Sequence, residues 1–437
     1  MSQVINWYGL PAVIIKEKNK LVVFTNVERK LSSFTIPYDE RDDKKYYNLA
    51  IEKGVFKCLY HKNDVRDEFT VVLSLTEKCN CRCRYCFLDA EAEGKVMSKD
   101  LIKVTVDYAF DNSDGRSINF AAFGGEPSTQ PELLEYLVQY VSEKKKLSKY
   151  RTKNVRFSIT TNGVLSERML ELLITNKFIV SLSMDGIKEV QNYHRPLANG
   201  NETYDIVCKT IERLVEAGLS VKIRATVTQF SVDKMAETVE VLGKMGIKKI
   251  HFGAVTPGGR GCTENKLLQP PTAECFTENL IKAIKQGKES GVDVLCFPYL
   301  NLDETPKTFC DGTVKNRIVV TPQGIVSSCV EVQSVDHPLY DALSLGYYDE
   351  NNKKLVITAD GRRVKCGGCE HFSKAIDKSK CNKCPFLFFC GSGCATRNYR
   401  GSGDTSSVEE YRCEIIKGVM PYILENLVYS TYNFEGR

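Results

Sequence analysis

Four cysteines fall within eight residues in Cys79-Asn80-Cys81-Arg82-Cys83-Arg84-Tyr85-Cys86. Cys79, Cys83 and Cys86 have the spacing C-x3-C-x2-C, which lets a short loop turn three thiolates onto one metal centre. Thiolates are soft ligands that suit iron–sulfur clusters and zinc. Three ligands leave one iron of a four-iron cube without a protein ligand. Metal-centred chemistry uses such an open position, whereas closed sites are structural or carry electrons. In a chain with 18 cysteines, chance yields this triplet about 0.03 times. A zinc loop or a set of buried thiols is the competing reading. Cys81 does not share the triplet's geometry and reads as a packed thiol.

A second array lies near the C-terminus. Cys310 is followed by thirteen residues, Gly324, four residues and Cys329. Then come Cys381-x2-Cys384-x5-Cys390-x3-Cys394 and, after a gap, Cys413. Thr321-Pro322-Gln323-Gly324 is a turn signal between two strand-like runs, and such a hairpin brings Cys310 and Cys329 together. Cys366, Cys369, Cys381 and Cys384 would make an acceptable four-thiolate zinc site. That reading leaves Cys390, Cys394 and Cys413 unexplained. Cys58, Cys208 and Cys275 read as structural thiols.

The whole chain has 437 residues, 26% charged and 42% hydrophobic, which excludes a wholly disordered polymer. The net charge of +5 over this length gives no argument for nucleic-acid binding. No hydrophobic run approaches the ~18 residues of a membrane span. The opening residues lack the pattern of a signal peptide, which points to the cytoplasm. Clustered cysteines in such a chain favour metal over disulfides.

The elements that must position these cysteines begin at residue 70. Strands are expected over Thr70–Leu75, Ile118–Phe123, Val155–Thr160, Ile179–Met184, Val221–Thr228 and Lys249–Val255. Amphipathic helices are expected over Asp100–Phe110, Pro131–Lys146, Ser166–Asn176, Tyr204–Ala217 and Val232–Met245. Leu134, Leu137, Val138 and Val141 show the three- and four-residue spacing. Six β/α units in series predict an α/β fold, a partial (β/α)6 TIM-like barrel whose ligands sit at the carboxyl ends of its strands. Residues 70–265 form this barrel. Residues 1–69 are a small N-terminal element with strands at Ala12–Ile15 and Lys20–Thr25 and a helix near Lys44–Lys53. Residues 266–305 bridge, with a helix over Pro270–Ser290, to a cysteine-rich domain over 306–437. The basic run from Glu143 to Arg156 reads as a solvated helix end and loop.

The cysteine triplet after the first strand resembles the radical S-adenosylmethionine (radical SAM) superfamily. Tyr85 matches the aromatic residue before the last cysteine. Gly124-Gly125-Glu126-Pro127 at the second strand's end resembles the methionine-binding motif. Thr160-Thr161-Asn162-Gly163 and Ser183-Met184-Asp185-Gly186 follow at the third and fourth strand ends. The resemblance implies a catalytic [4Fe-4S] cluster on Cys79, Cys83 and Cys86, with S-adenosylmethionine chelating the remaining iron. It implies that backbone around Gly124, Gly125, Glu126 and Pro127 orients the methionyl amine. Ser183 and Arg195 meet the carboxylate, Thr161 and Asn162 lie near the ribose or substrate, and Tyr85 and Phe87 flank the adenine. Cys81 departs from the apolar residue usual at its position.

The C-terminal array resembles the SPASM extension of the same superfamily, which implies two auxiliary [4Fe-4S] clusters and three in all. The implied ligands are Cys310, Cys329 and Cys394 for one, and Cys381, Cys384, Cys390 and Cys413 for the other. Cys366 or Cys369 is the candidate fourth ligand of the first, with Cys296 and Cys262 weaker ones; alternatively that site is open to substrate. The resemblance implies an oxidoreductase that cleaves S-adenosylmethionine to a 5′-deoxyadenosyl radical and abstracts hydrogen from a peptide residue. The product expected is a thioether or carbon–carbon crosslink in a ribosomally synthesised peptide carrying a leader. The implied reductant is a one-electron donor such as flavodoxin or ferredoxin, with no nucleic acid or membrane as partner. The alternatives are an anaerobic sulfatase-maturating, formylglycine-forming enzyme and a non-catalytic iron–sulfur or zinc protein. Sulfatase-maturating relatives usually carry Asp after the cysteine corresponding to Cys329 and begin close to the radical cluster. Here Val330 and Glu331 follow Cys329, and about 70 residues precede the barrel.

Overall fold

The computed structural model describes residues 2–7, 10–15, 20–27, 30–37, 45, 48, 68–113, 116–296, 317–358, 384, 386, 390, 393–405 and 407–431. The chain opens with strands β1 (Ser2–Trp7), β2 (Leu10–Ile15), β3 (Lys20–Val27) and β4 (Lys30–Pro37). They pair antiparallel in chain order as one four-stranded sheet. The two strands expected here correspond to β2 and β3. Their neighbours β1 and β4 carry more polar residues and give a weaker local signal. The helix expected near Lys44–Lys53 lies almost wholly outside the described residues.

The second sheet carries the chemistry. Its parallel strands are β5 (Glu68–Thr76), β6 (Ser117–Gly124), β7 (Val155–Thr161), β8 (Ile179–Ser183), β9 (Val221–Val227) and β10 (Lys249–Ala254). All six expected strands are present, each within two residues of its expected ends. Sequential neighbours pair in parallel, with Val71 beside Phe120 and Leu182 beside Ile223. Helices α1 (Lys99–Asn112), α2 (Pro131–Lys146), α3 (Glu167–Thr175), α4 (Lys188–His194), α5 (Tyr204–Glu216) and α6 (Met235–Lys244) lie between the strands. Ser98 caps α1 by accepting the Leu101 amide at 3.1 Å, and Ser166 caps α3 by accepting that of Met169 at 3.3 Å. Pro131 opens α2, where its missing N–H costs nothing. Only α4, at seven residues, was too short to show a periodic pattern.

The strands alternate. Ile118, Phe120 and Ala122 of β6 are buried under the helices, whereas Asn119, Ala121 and Phe123 are half-buried on the other face. One hydrophobic core joins these inward rows to Leu101, Val106, Leu137, Leu173 and Ile211 on the helices. β5 is buried on both faces from Val71 to Thr76, as befits a central parallel strand.

The sheet continues past the expected six strands. β11 (Asp293–Leu295) extends it beyond β10, following α7 (Ala273–Ser290). At the other side β12 (Arg317–Val320) pairs in parallel with β5, placing Val319 beside Val72. β13 (Ile325–Ser327) returns antiparallel to β12 around Gly324, at φ +81°. β14 (Ser344–Asp349) and β15 (Lys354–Ile357) complete an 11-stranded sheet. The expected hairpin is therefore present, and it belongs to the same sheet as the radical SAM-like strands. Three further helices are described: α8 (Tyr340–Leu343), α9 (Ala395–Ser402) and α10 (Glu410–Thr431). α10 packs on α7 and on β1 and β2. No described helix is long and apolar enough to cross a membrane.

Candidate active site

The loop bearing the first cysteines leaves β5 and returns to it. The Glu77 amide donates to Lys95 O at 2.9 Å, Thr76 bridges Val96, and the Met97 amide donates to Leu75 O at 2.9 Å. Inside this neck the Cys79 amide donates to Glu91 O at 2.7 Å. The amides of Cys86 and Asp89 donate to Cys83 O and Cys86 O, each at 3.3 Å, so two successive turns carry the second and third cysteines. Arg82 and Arg84 donate their amides to Pro196 O and His194 O at 2.8 and 2.9 Å, which docks the loop on the end of α4 and the residues just past it. Cys81 is buried, as expected of a packed thiol, and accepts from the Asn162 side-chain amide at 3.2 Å.

The Gly124-Gly125 pair is required by contact with this loop's root. A Cβ on Gly124, at φ +136°, would lie 2.3 Å from Thr76 O, and one on Gly125 would lie 2.3 Å from Lys78 O. The amides of Gly125 and Glu126 donate to those same two carbonyls at 2.7 and 2.8 Å. What the glycines admit is therefore backbone. The Glu126 side chain turns inward and brackets two strand ends. It accepts from the Ser128 amide at 3.0 Å, the Thr161 hydroxyl at 2.8 Å and the Asn162 amide at 2.7 Å. Its burial pushes the carboxyl up, against the pull of these hydrogen bonds. Pro127, also buried, opens the turn that follows.

Asn162, directly after β7, reaches across to the cysteine loop. Its side-chain amide donates to Asn80 at 2.7 Å and approaches Cys79 Sγ at 3.9 Å, while its oxygen accepts the Val164 amide at 2.9 Å. Ser183 ends β8, half-buried, opposite Arg224 of β9. Tyr85 and Phe87 occupy unlike places. Tyr85 is buried with its hydroxyl donated to Asp185, whereas Phe87 is 38% exposed.

Asp185 is the residue to which sequence reasoning gave no role. Its carboxylate accepts from Tyr85, from Arg195 through Nε and Nη2 at 3.0 and 3.1 Å, and from the Thr226 amide at 2.8 Å. His194 Nδ1 lies 3.0 Å away, and His194 Nε2 lies 2.9 Å from Thr228 Oγ1. Burial alone pushes this carboxyl up, but Arg195 and then His194 override it and hold it well below the usual carboxylate range. The third guanidinium nitrogen of Arg195 stands 3.8 Å from Cys83 Sγ. Arg195 is thus no surface residue: it is forked on Asp185 and aimed at a cysteine sulfur. The available signal was an acid at a buried strand end, followed within ten residues by His and Arg.

The donor set fits a thiolate-bound cluster. Three thiols share one loop, and N–H groups of Asn162 and Arg195 stand beside two of the sulfurs. Burial pushes Cys79 up to about 12 and raises Cys83 also. Among the described residues no three Cys, His, Asp or Glu side chains converge tightly enough for a single metal ion. A four-iron cube is bulkier and takes its thiolates further apart.

A cavity of about 260 Å³ opens at the carboxyl ends of β5 and β6. Thr76, Gly124, Asp89 and Glu91 line one side, and Gln323 and Gln333 the other. Gln333 accepts from the Ser74 hydroxyl at 3.0 Å, and Gln323 donates to Glu77 at 2.7 Å, so the C-terminal hairpin walls the cavity. Of the second array, Cys329 follows β13, Cys394 precedes α9 with its sulfur 3.0 Å from Thr396 Oγ1, and Cys413 lies in α10. Cys390 is buried and Cys384 half-buried, both against the main core. Cys310, Cys366, Cys369 and Cys381 lie outside the described residues. Cys296 is buried and Cys262 exposed.

A parallel sheet with a cysteine loop at its first strand end defines a recognised class. Residues 73–229 match the Radical SAM superfamily, so this stretch of the chain is a radical SAM domain. The cysteine-type anaerobic sulfatase-maturating enzyme of Clostridium perfringens is 25% identical over 376 residues, covering 82% of this chain and 96% of that one. The antilisterial bacteriocin subtilosin biosynthesis protein AlbA of Bacillus subtilis is 25% identical over 335 residues, 73% of this chain and 65% of AlbA. Among solved structures, native anSMEcpe with bound AdoMet superposes with a TM-score of 0.67 at 21% identity, covering 84% of this chain and 100% of that one. Streptococcus suis SuiB bound to precursor peptide SuiA gives 0.51 at 14% identity, over 91% and 97%. These last two likenesses establish the fold.

Proposed function

We propose that this enzyme modifies a side chain of a ribosomally synthesised peptide, forming a thioether or carbon–carbon crosslink. The observation that carries the reading is the cysteine loop beside a cavity whose far wall comes from the C-terminal hairpin and the segment after it. A reduced four-iron cluster and S-adenosylmethionine, when bound, supply a 5′-deoxyadenosyl radical that removes hydrogen from an unactivated carbon. The chain's own residues hold and orient. Cys79, Cys83 and Cys86 bind the cluster, and Asn162 and Arg195 direct N–H groups at its sulfurs. Gly124, Gly125, Glu126 and Pro127 shape the methionine side, with Glu126 fixing Thr161 and Asn162. Ser183 and Arg195 face the carboxylate, and Tyr85 and Phe87 flank the adenine, Phe87 through its exposed ring.

Two auxiliary clusters on Cys310, Cys329 and Cys394 and on Cys381, Cys384, Cys390 and Cys413 complete the reading, with Cys366 or Cys369 as the further ligand. A flavodoxin or ferredoxin supplies the electron. A leader segment would pair with an edge of the β1–β4 sheet.

Formylglycine formation in a sulfatase is the second reading, supported by similarity along 96% of a sulfatase-maturating relative. Val330 after Cys329 speaks against it, as does Glu331, which is tied to Arg400 at 2.7 Å.

Anaerobic reconstitution tests the common core. About twelve irons per chain are expected from three four-iron clusters. The triple variant Cys79→Ala, Cys83→Ala, Cys86→Ala should lose 5′-deoxyadenosine formation altogether while keeping the auxiliary iron. Zinc with little iron, or continued cleavage in the triple variant, would defeat the assignment. Incubation with a short peptide encoded beside this chain, read by mass, distinguishes crosslinking, a loss of two hydrogens, from conversion of a sulfatase-derived cysteine to formylglycine.

A further inference from the structure

The turn after β10, Gly258-Gly259-Arg260-Gly261, touches both cysteine regions. On one side it grips the first cysteine loop. The Arg260 amide donates to Cys86 O at 3.0 Å. Its Nε donates to Cys83 O at 3.0 Å and its Nη2 to Ala90 O at 3.1 Å. Nη1 reaches Asp89 at 2.8 Å and Glu91 at 3.0 Å. One side chain thereby holds both turns of the loop and its returning arm. The grip needs a close backbone: a Cβ on Gly259, at φ +50°, would stand 2.4 Å from Cys86 O.

On its other side the same turn meets the C-terminal cysteine region. A Cβ on Gly258 would lie 2.9 Å from the Arg400 guanidinium carbon. Arg400, in α9 after Cys394, pairs at 2.7 Å with Glu331, two residues past Cys329.

We propose that Arg260 is a positioning residue for the radical-cluster loop, and that the Gly258–Gly261 turn braces this loop on the Arg400–Glu331 pair. The two cysteine regions are then set against each other through one turn as well as through the shared sheet. A planar fork suits this task better than an ammonium, because four acceptors surround it in different directions. The inference rests on the proposed function only for the loop's role as a cluster site; the brace itself belongs to the polypeptide.

The test uses the full-length chain without added iron, followed by amide hydrogen exchange. Arg260→Gln should speed exchange of the Cys86 and Asp89 amides about tenfold or more, with α1 amides unchanged. Arg260→Lys should restore little of that protection. Arg400→Gln should speed the same loop amides, though less. After anaerobic reconstitution, Arg260→Gln should release iron to a chelator about tenfold faster than the parent. Wild-type loop exchange in Arg260→Gln, or full protection in Arg260→Lys, would overturn the positioning role. Unchanged loop exchange in Arg400→Gln would overturn the brace. Should Arg260→Gln lose α1 protection as well, Arg260→Lys and Arg400→Gln still decide the matter. A parent chain that takes up no iron refutes the functional reading and leaves the exchange result standing.

Discussion

Asp185 gathers Tyr85, His194, Arg195 and the Thr226 amide behind Cys83, with no exposure of its side chain to water. A buried carboxylate tolerates that position only because cationic and N–H partners surround it. Removing it leaves the Arg195 guanidinium buried without its counter-ion. Asp185→Ala should therefore cost about 3–5 kcal/mol of stability, read from a denaturant midpoint under conditions that keep the slope constant. A loss below about 1 kcal/mol would place the pair among weak surface bridges instead. The sequence made the cysteine spacing plain because ligand spacing is a local property. It did not disclose Asp185 as a hub, because the partners are brought together only by strand register and by α4. Asn162 illustrates the same limit: its motif is legible, yet its contact with Asn80 spans two strand ends.

The repeating units of the sheet were legible because each strand and helix states its period within its own residues. Ile118, Phe120 and Ala122 announce β6 without reference to anything distant. The pairing of β12 with β5 was not legible, since nothing in Arg317–Val320 names its partner. Two glycines, one at a strand end and one in a loop, separate two costs cleanly. Gly124 and Gly200 both have positive φ, but a Cβ meets Thr76 O at 2.3 Å at the first and nothing within 4 Å at the second. Gly200→Ala should lose about 1 kcal/mol, the conformational part alone. Gly124→Ala adds a backbone collision and should lose about 3 kcal/mol or more, by the same denaturant measurement. Equal losses at the two positions would show that the β6 end yields to accommodate the methyl group.

At the scale of the molecule, the division at residue 306 read from the cysteines does not mark an end of the sheet. β12 covers the edge of β5, and α10 covers α7. A chain cut after residue 305 would expose both, and an uncovered parallel strand edge invites pairing with other chains. Such a fragment should elute from a sizing column as aggregate, whereas the intact chain gives one discrete species. A monodisperse, stably folded fragment would show that the radical SAM part stands without its C-terminal cover.

The loop from Thr76 to Val96 begins and ends at one place, its neck closed by backbone pairing before any metal is considered. Bringing three cysteines together from an open chain would carry a large loss of chain entropy, set against the affinity for iron. Here that loss is borne by the folding of the sheet, whose strand ends hold the neck shut. Iron would then meet thiols already carried on one closed loop, and less of its binding energy would go into ordering the chain.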